Sequence, residues 1–234
     1  LIASLFAVKN IIKEFHPSLI HTNTSTIITS SLIAKIYSIP HVWHIREIYD
    51  GSQKYLWWFF QKYIYHYSNA IIANSKATAS QFCRKNKLAV IYNVLLQNRK
   101  LSFNKELIIK FKEKYSVRQN LCVGMIGRIN LNRKGQSIFV NAIAQIKDKH
   151  PNVKYFIIGE PYPGKEDYLH KLKNLIHNKQ LDDQIILTGE IIDIHTAINT
   201  MDLIVIPSNR PESFGNVISE SMANSKPVII SNIG

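Results

Sequence analysis

Strand-length apolar runs alternate with helix-length amphipathic stretches along the whole chain, and few folds accommodate that order. Runs such as AIIA at 70–73, LCVGMI at 121–126 and LIVI at 203–206 are short and are joined to neighbouring helical patterns by short loops. Repeated strand–helix alternation predicts parallel α/β sheets. The spacing predicts helices over 1–15, 25–37, 53–67, 76–85, 105–115, 136–149, 165–179, 194–200 and 216–224. It predicts strands over 18–21, 41–44, 70–73, 88–92, 121–126, 153–158, 184–187, 203–206 and 227–230.

The composition shifts at Asn93, and residues 97–120 are polar and basic, so two α/β units joined near residue 95 are expected. With 46% hydrophobic and 19% charged residues among 234, the chain has material for two cores. The longest unbroken apolar run, YLWWFF at 55–60, is far short of a membrane span. The opening stretch reads as an amphipathic helix and has no signal-peptide pattern. A first residue of Leu and an ending immediately after a strand suggest a piece of a longer chain. Cys83 and Cys122 fit neither a disulfide framework nor a metal site and are expected to be buried thiols in a reducing, cytoplasmic setting. The net charge of +13 comes from dispersed residues, 22 Lys and 7 Arg. A nucleic-acid surface would favour Arg interleaved with aromatics. The dispersed pattern instead fits a basic surface that approaches anionic lipids, and no nucleic-acid partner is expected.

The chemistry concentrates at two strand ends. The strand at 203–206 runs into NRPESFG and then a helix, which places Glu212 and Glu220 eight positions apart. Open α/β sheets bind ligands at strand carboxyl ends, and helix N-termini attract anions. A carboxylate there can accept hydrogen bonds from two sugar hydroxyls. A helical wheel sets Glu220 with Asn216, Ser219 and Asn224, opposite Val217, Ile218 and Met222. The strand at 121–126 leads into Gly127, Arg128 and, before the next helix, Arg133 and Lys134. Cations at a helix start oppose its dipole by about 0.3–1 kcal/mol, and a bound anion reverses that penalty. Arg128 and Lys134 therefore look like a pyrophosphate clamp.

The run IPSNRPESFGNVISESMANSKPVI resembles the nucleotide-sugar motif of family-4 glycosyltransferases of GT-B fold, with its two glutamates separated by seven residues. VGMIGRINLNRKG resembles the family's strand-Gly-Arg and Lys-Gly signature. HPSLIHTNTS, SIPHVWHIRE, AIIANSKATASQF and VIYNV resemble landmarks of its N-terminal domain in the same order. The resemblance implies two Rossmann-like parallel-sheet domains facing across a cleft, both ends truncated. Residues 1–95 would form a partial acceptor-side domain and 96–234 an incomplete nucleotide-sugar-binding domain. Arg128 and Lys134 would hold the donor diphosphate with no metal and no other cofactor. Glu220 would accept from the ribose hydroxyls. Glu212, with the backbone of Ser213, Phe214 and Gly215, would hold the donor sugar, while Asn216 and Val217 lie against the nucleotide. The turn Gly189-Glu190-Ile191 would cradle the base through the main chain of Ile191. A family histidine near the donor sugar aligns with Arg46, with His44 two residues earlier, so His44, Arg46 and Glu47 are expected near the cleft. The family's Ala after the second Glu and its Gly two before the Pro are Ser221 and Ser225 here. Its Gly-rich first loop is not in the sequence, so the chain alone is expected to be a poor catalyst.

The resemblance implies a retaining transferase that moves a hexose from a nucleoside diphosphate sugar to a hydroxyl of a glycan or lipid-linked acceptor in bacterial surface polysaccharide synthesis. The alternatives are a GT-B nucleotide-sugar epimerase and a non-catalytic glycan- or nucleic-acid-binding relative. The helix KYLWWFFQKYIYHY is apolar or aromatic on nearly all sides. It reads either as a core helix with some exposed tyrosines or as an element that docks to the inner face of the cytoplasmic membrane through Trp57 and Trp58, assisted by Lys54 and Lys62.

Overall fold

The computed structural model describes residues 2–50, 53–94 and 104–234, with the side chains of 2–5 and 53–54 outside the description. The Lys54 side chain and most of the expected junction near residue 95 therefore lie outside the description. Among these residues the order is α1 (Ile2–Phe15), β1 (Ile20–Asn23), α2 (Thr29–Ile36), β2 (His41–Ile45), α3 (Gln53–Tyr67), β3 (Ala70–Ala73), α4 (Lys76–Ser80) and β4 (Leu88–Val90). There follow α5 (Lys105–Lys114), β5 (Leu121–Ile126), α6 (Gln136–Ile146), β6 (Val153–Ile158), α7 (Asp167–Asn178) and β7 (Ile185–Gly189). The chain ends with α8 (Ile194–Thr200), β8 (Leu203–Ile206), α9 (Asn216–Ala223) and β9 (Val228–Ile230). These elements form two compact units, 1–94 with 211–214 and 234, and 95–210 with 215–233.

The second unit is a five-stranded parallel sheet in the order β7-β6-β5-β8-β9. Successive residues of a strand point to opposite faces, and here both faces are apolar. Met125, Tyr155 and Ile157 enter one core with Phe139, Val140 and Leu172 of α6 and α7. Their neighbours Ile126, Phe156 and Ile158 enter the other with Ala197 and Ile198 of α8. Helices thus cover both faces, as in doubly wound folds. The strand order reverses at β5, which pairs with β6 on one side and with β8 on the other through Val123–Leu203 and Gly124–Ile204.

The first unit is a four-stranded parallel sheet, β1-β2-β3-β4, with a core of Trp43, Ile45, Trp57, Ile64, Ile71 and Phe82. Two helices are shorter here than the periodicity predicts, and β4 ends at Val90 and not at 92. Helix α2 begins at Thr29 and not at 25, because the backbone N–H and the hydroxyl of Ser25 both donate to the Glu47 carboxylate at 3.1 and 2.9 Å. Helix α4 ends at Ser80. Gln81 turns its amide to the Tyr49 N–H and the Glu47 carbonyl at 2.7 and 2.9 Å, and Phe82 drops into the core. That turn leaves Cys83 exposed, contrary to expectation, whereas Cys122 is buried. Trp57 is buried against Tyr49 and Phe82, so only Trp58 of the pair is open to a surface role.

Candidate functional site

The reversal at β5 is the topological switch point of the second sheet, where a doubly wound fold leaves a crevice at the strand carboxyl ends. Beyond β5 the backbone stays paired with the segment after β6: Gly127 donates to Ile158 O and Ile129 to Glu160 O, both at 2.9 Å. Ile129 is buried and Arg128, between the two donors, is exposed. The Arg128 guanidinium lies 3.6 Å from the ring centroid of Tyr162, a cation–π contact that holds it at the strand end. Gln136, fully buried, donates from Nε2 to the Arg128 carbonyl at 3.0 Å, while its Oε1 finds no partner. The first residue of α6 is therefore tied to the residue that leaves β5.

Lys134 is half-buried, and its backbone N–H donates to Asn130 O at 2.8 Å. Gly135 caps α6 in the left-handed conformation, φ 80°. A Cβ at this position would stand 1.8 Å from the Pro207 carbonyl oxygen, so only glycine lets the loop after β5 meet the end of β8. Asn209 N–H then donates to Arg133 O at 3.0 Å, joining the two loops. The structure thus brings Arg128, Lys134 and the segment 207–209 into one cluster at the switch point.

Helix α9 also starts from a left-handed glycine, Gly215, φ 75°. Asn216 is exposed at its first position, Val217 packs on the core of the second unit, and Glu220 is half-buried one turn further on. Ile191, just after β7, packs on the same core. Residues 211–214 group with the first unit, where Asn74 Nδ2 donates to Ser213 Oγ at 3.5 Å and Tyr92 and Phe214 are tilted ring neighbours. Glu212, Ser213 and Phe214 are therefore counted apart from Gly215, Asn216, Val217 and Glu220.

Helix starts differ in kind across the molecule. Ser75, Asn104 and Asp193 cap α4, α5 and α8 by accepting from first-turn amides. Helices α2 and α7 lack such a cap but follow residues already in helical conformation. Only α6 and α9, among the described helices with a defined cap, begin at a left-handed glycine, a cap residue with no side chain of its own. Both lie next to the switch point.

At the end of β2, His44 stacks on His21 at 5.6 Å and 7°. Burial, with Arg46 and His21 adding to it, lowers the His44 pKa, and its Nε2 lacks a partner. Arg46 is exposed. Glu47 is occupied: its carboxylate accepts from Thr24 Oγ1, from Ser25 N and Oγ, and from Arg46 N. Glu47 is a framework group that holds the ends of β1 and β2 together. Sequence reasoning missed this role, and it missed Gln136 and Tyr162. Gln136 had a signal in its place directly after Gly135, whereas Tyr162 had none. Among the described residues no group of three His, Cys, Asp or Glu side chains is arranged to hold a metal ion.

Two parallel α/β units, one with a switch point flanked by glycine-started helices, define the GT-B class of α/β protein. The chain belongs to the family described as glycosyl transferases group 1, which residues 108–234 match, and residues 1–95 match glycosyltransferase family 4. It is similar to the glycosyltransferase MJ1178 of Methanocaldococcus jannaschii, 30% identical over 97% of this chain and 59% of that protein. It is also similar to the lipopolysaccharide 1,2-N-acetylglucosaminetransferase of Salmonella typhimurium, 30% identical over 46% of this chain and 29% of that protein. Among solved structures, Anabaena Alr3699/HepE in complex with UDP and glucose superposes with a TM-score of 0.88 at 28% identity, covering 97% of this chain and 63% of that one. The chain spans about three fifths of the length of such full-coverage relatives.

Proposed function

We propose that this chain carries the donor-binding part of a retaining glycosyltransferase that uses a nucleoside diphosphate sugar. The observation that carries this reading is the pair of glycine-started helices at the switch point, with Arg128 and Lys134 in the loop that leads into the first of them. A helix N-terminus that begins at glycine, with two cations in the loop before it, suits a diphosphate. The solved relative in complex with UDP and glucose supports the same class of donor.

In this proposal Arg128 and Lys134 bind the diphosphate and stabilise its charge as the bond to the sugar C1 breaks. The acceptor hydroxyl oxygen bonds to C1 on the face the diphosphate leaves, and a diphosphate oxygen takes the hydroxyl proton. The anomeric configuration is therefore kept. Glu220 accepts from the ribose hydroxyls, the main chain of Ile191 meets the base, and Asn216 and Val217 lie along the nucleotide. Glu212 and the amides of Ser213, Phe214 and Gly215 hold the donor sugar. His44, kept neutral by burial, and Arg46 are the first unit's candidates for contact with the reacting sugar. The charge stabilisation comes from these cations, with no metal required. The name of the Salmonella relative supports an envelope glycan or lipid-linked acceptor.

The test is thermal stabilisation by UDP-, GDP- and ADP-sugars. Ligand at about a hundred times its Kd adds about 2.7 kcal/mol. For a chain of this size each kcal/mol raises Tm by about 2–4 °C. One donor should raise Tm by about 5–10 °C, and Lys134→Ala or Glu220→Ala should remove most of that shift. A chain indifferent to every donor would overturn the assignment. Conversion of the donor sugar without any acceptor would favour an epimerase.

A further inference from the structure

Helix α3 buries Trp57 and Ile64 and turns Tyr55, Trp58 and Phe59 outward at i, i+3 and i+4, with relative exposures of 82%, 49% and 65%. Lys62 follows at i+7, its Nζ 3.4 Å from the Trp58 ring centroid. One helix carries two apolar faces, and the core of the first unit uses only one of them. A hollow of about 530 Å3 beside the outer face is lined by Trp58, Lys62, Arg84 and Lys87, which puts those cations on the same surface as the aromatic rings.

The stretch of sequence that carries this face has charge of a single sign. Between Asp50 and Glu106 the sequence contains no Asp or Glu, while Lys62, Arg84, Lys85 and Lys87 all fall there. Protein interfaces deplete Lys from their centres and match charge with charge. Exposed Trp, Phe and Tyr beside Lys and Arg fit the headgroup layer of an anionic bilayer, where aromatic rings sit at the interface and cations meet lipid phosphate. No described helix is long and apolar enough to cross a membrane, so the contact would be peripheral. We infer that the outer face of α3, with Arg84 and Lys87 beside it, docks this chain onto the surface of an anionic phospholipid bilayer. The inference rests on this surface alone and stands apart from the donor chemistry.

Flotation of the 234-residue chain with phosphatidylcholine vesicles, with and without phosphatidylglycerol, tests it. The chain should float with the anionic vesicles, lose that binding at high salt, and leave neutral vesicles largely unbound. Trp58→Ser with Phe59→Ser, and separately Lys62→Glu with Arg84→Glu, should each weaken binding by about tenfold or more. Because these side chains are exposed, the variants should melt like the parent. If the serine variant folds poorly, quenching by brominated lipid serves instead: the parent should be quenched, and Trp58→Phe should not, since Trp43 and Trp57 are buried. Failure to bind either vesicle, equal affinity for both, or variants that bind like the parent would each overturn the inference.

Discussion

The two sheets share parallel strands and covering helices, but their strand orders differ. Among the described strands the first runs β1, β2, β3 and β4 in one direction, whereas the second reverses at β5. Where the order does not reverse, the strand ends are closed by their own side chains. Glu47 accepts four hydrogen bonds, Ser25 reaches the Tyr49 hydroxyl at 2.5 Å, and Gln81 spends both ends of its amide on neighbouring backbone. Where the order reverses, the strand ends carry Arg128 and Lys134 and lead into helices with no side-chain cap. The first sheet ties Glu47, Ser25 and Gln81 into internal hydrogen bonds and leaves His44 Nε2 without a partner, whereas the second carries cations beside glycine-started helices.

The largest expected effect breaks the second half of that comparison. Gly135→Ala places a methyl group against the Pro207 carbonyl in a backbone conformation that alanine resists. Left-handed strain costs about 1–2 kcal/mol, and the overlap should add about 1–3 kcal/mol as the loops after β5 and β8 separate. Urea denaturation should show a loss of about 4 kcal/mol, and thermal stabilisation by nucleotide sugar should vanish. An alanine variant of near-parent stability would mean that the two loops do not depend on that backbone contact.

A second, smaller effect distinguishes the units by pH. In the first unit, buried His41 bridges Thr22 and the Tyr67 carbonyl at 2.7 and 3.0 Å. Burial favours the neutral ring, in which one nitrogen donates and the other accepts. Burial lowers the pKa of His41 and of His44 below the ordinary 6.5. The unfolded chain then takes up protons first as the pH falls. The stability these groups contribute is complete above about 6.5 and is lost as the pH falls through their lower folded values. In the second unit Asp193 has a pKa lowered from 3.8, chiefly by its bond to Thr196, so its contribution is lost only in stronger acid. Hydrogen exchange at mildly acid pH should therefore quicken in β2 and β3 while β5 and β6 stay protected. Equal loosening of both sheets would contradict this account.

Much of the fold was legible because periodicity is a local property. The limits of α3, β3, β5, β6, α8 and β8 follow the apolar runs. The start of α2 and the end of α4 were not legible, since both are set by hydrogen bonds to Glu47 and Tyr49, more than twenty residues distant in sequence. Which side of α3 is buried was equally hidden, because the helix is apolar nearly all round. At the site, the order strand, Arg128, Lys134, helix was readable. The stacking of Tyr162 on Arg128 joins residues 34 positions apart and left no pattern.

The smallest effect concerns one substitution made in each unit, with opposite expected signs. Ser221 on α9 is fully buried and its hydroxyl has no partner. An unsatisfied buried polar group costs about 1–3 kcal/mol, so Ser221→Ala should stabilise the chain by about 1 kcal/mol and raise Tm by about 2–4 °C. Ser31 on α2 is as deeply buried, but its hydroxyl donates to Ile28 O at 2.7 Å and accepts from the Tyr63 hydroxyl at 3.0 Å. Ser31→Ala strips the half-buried Tyr63 hydroxyl of its partner and should cost about 1 kcal/mol. Calorimetry on the two variants reads the contrast directly: the Ser31 hydroxyl of the first unit is bonded on both sides, and α9 of the second unit carries a hydroxyl that its packing does not use. If both alanines shift Tm in the same direction, side-chain satisfaction does not distinguish the units, and the contrast between them reduces to strand order alone.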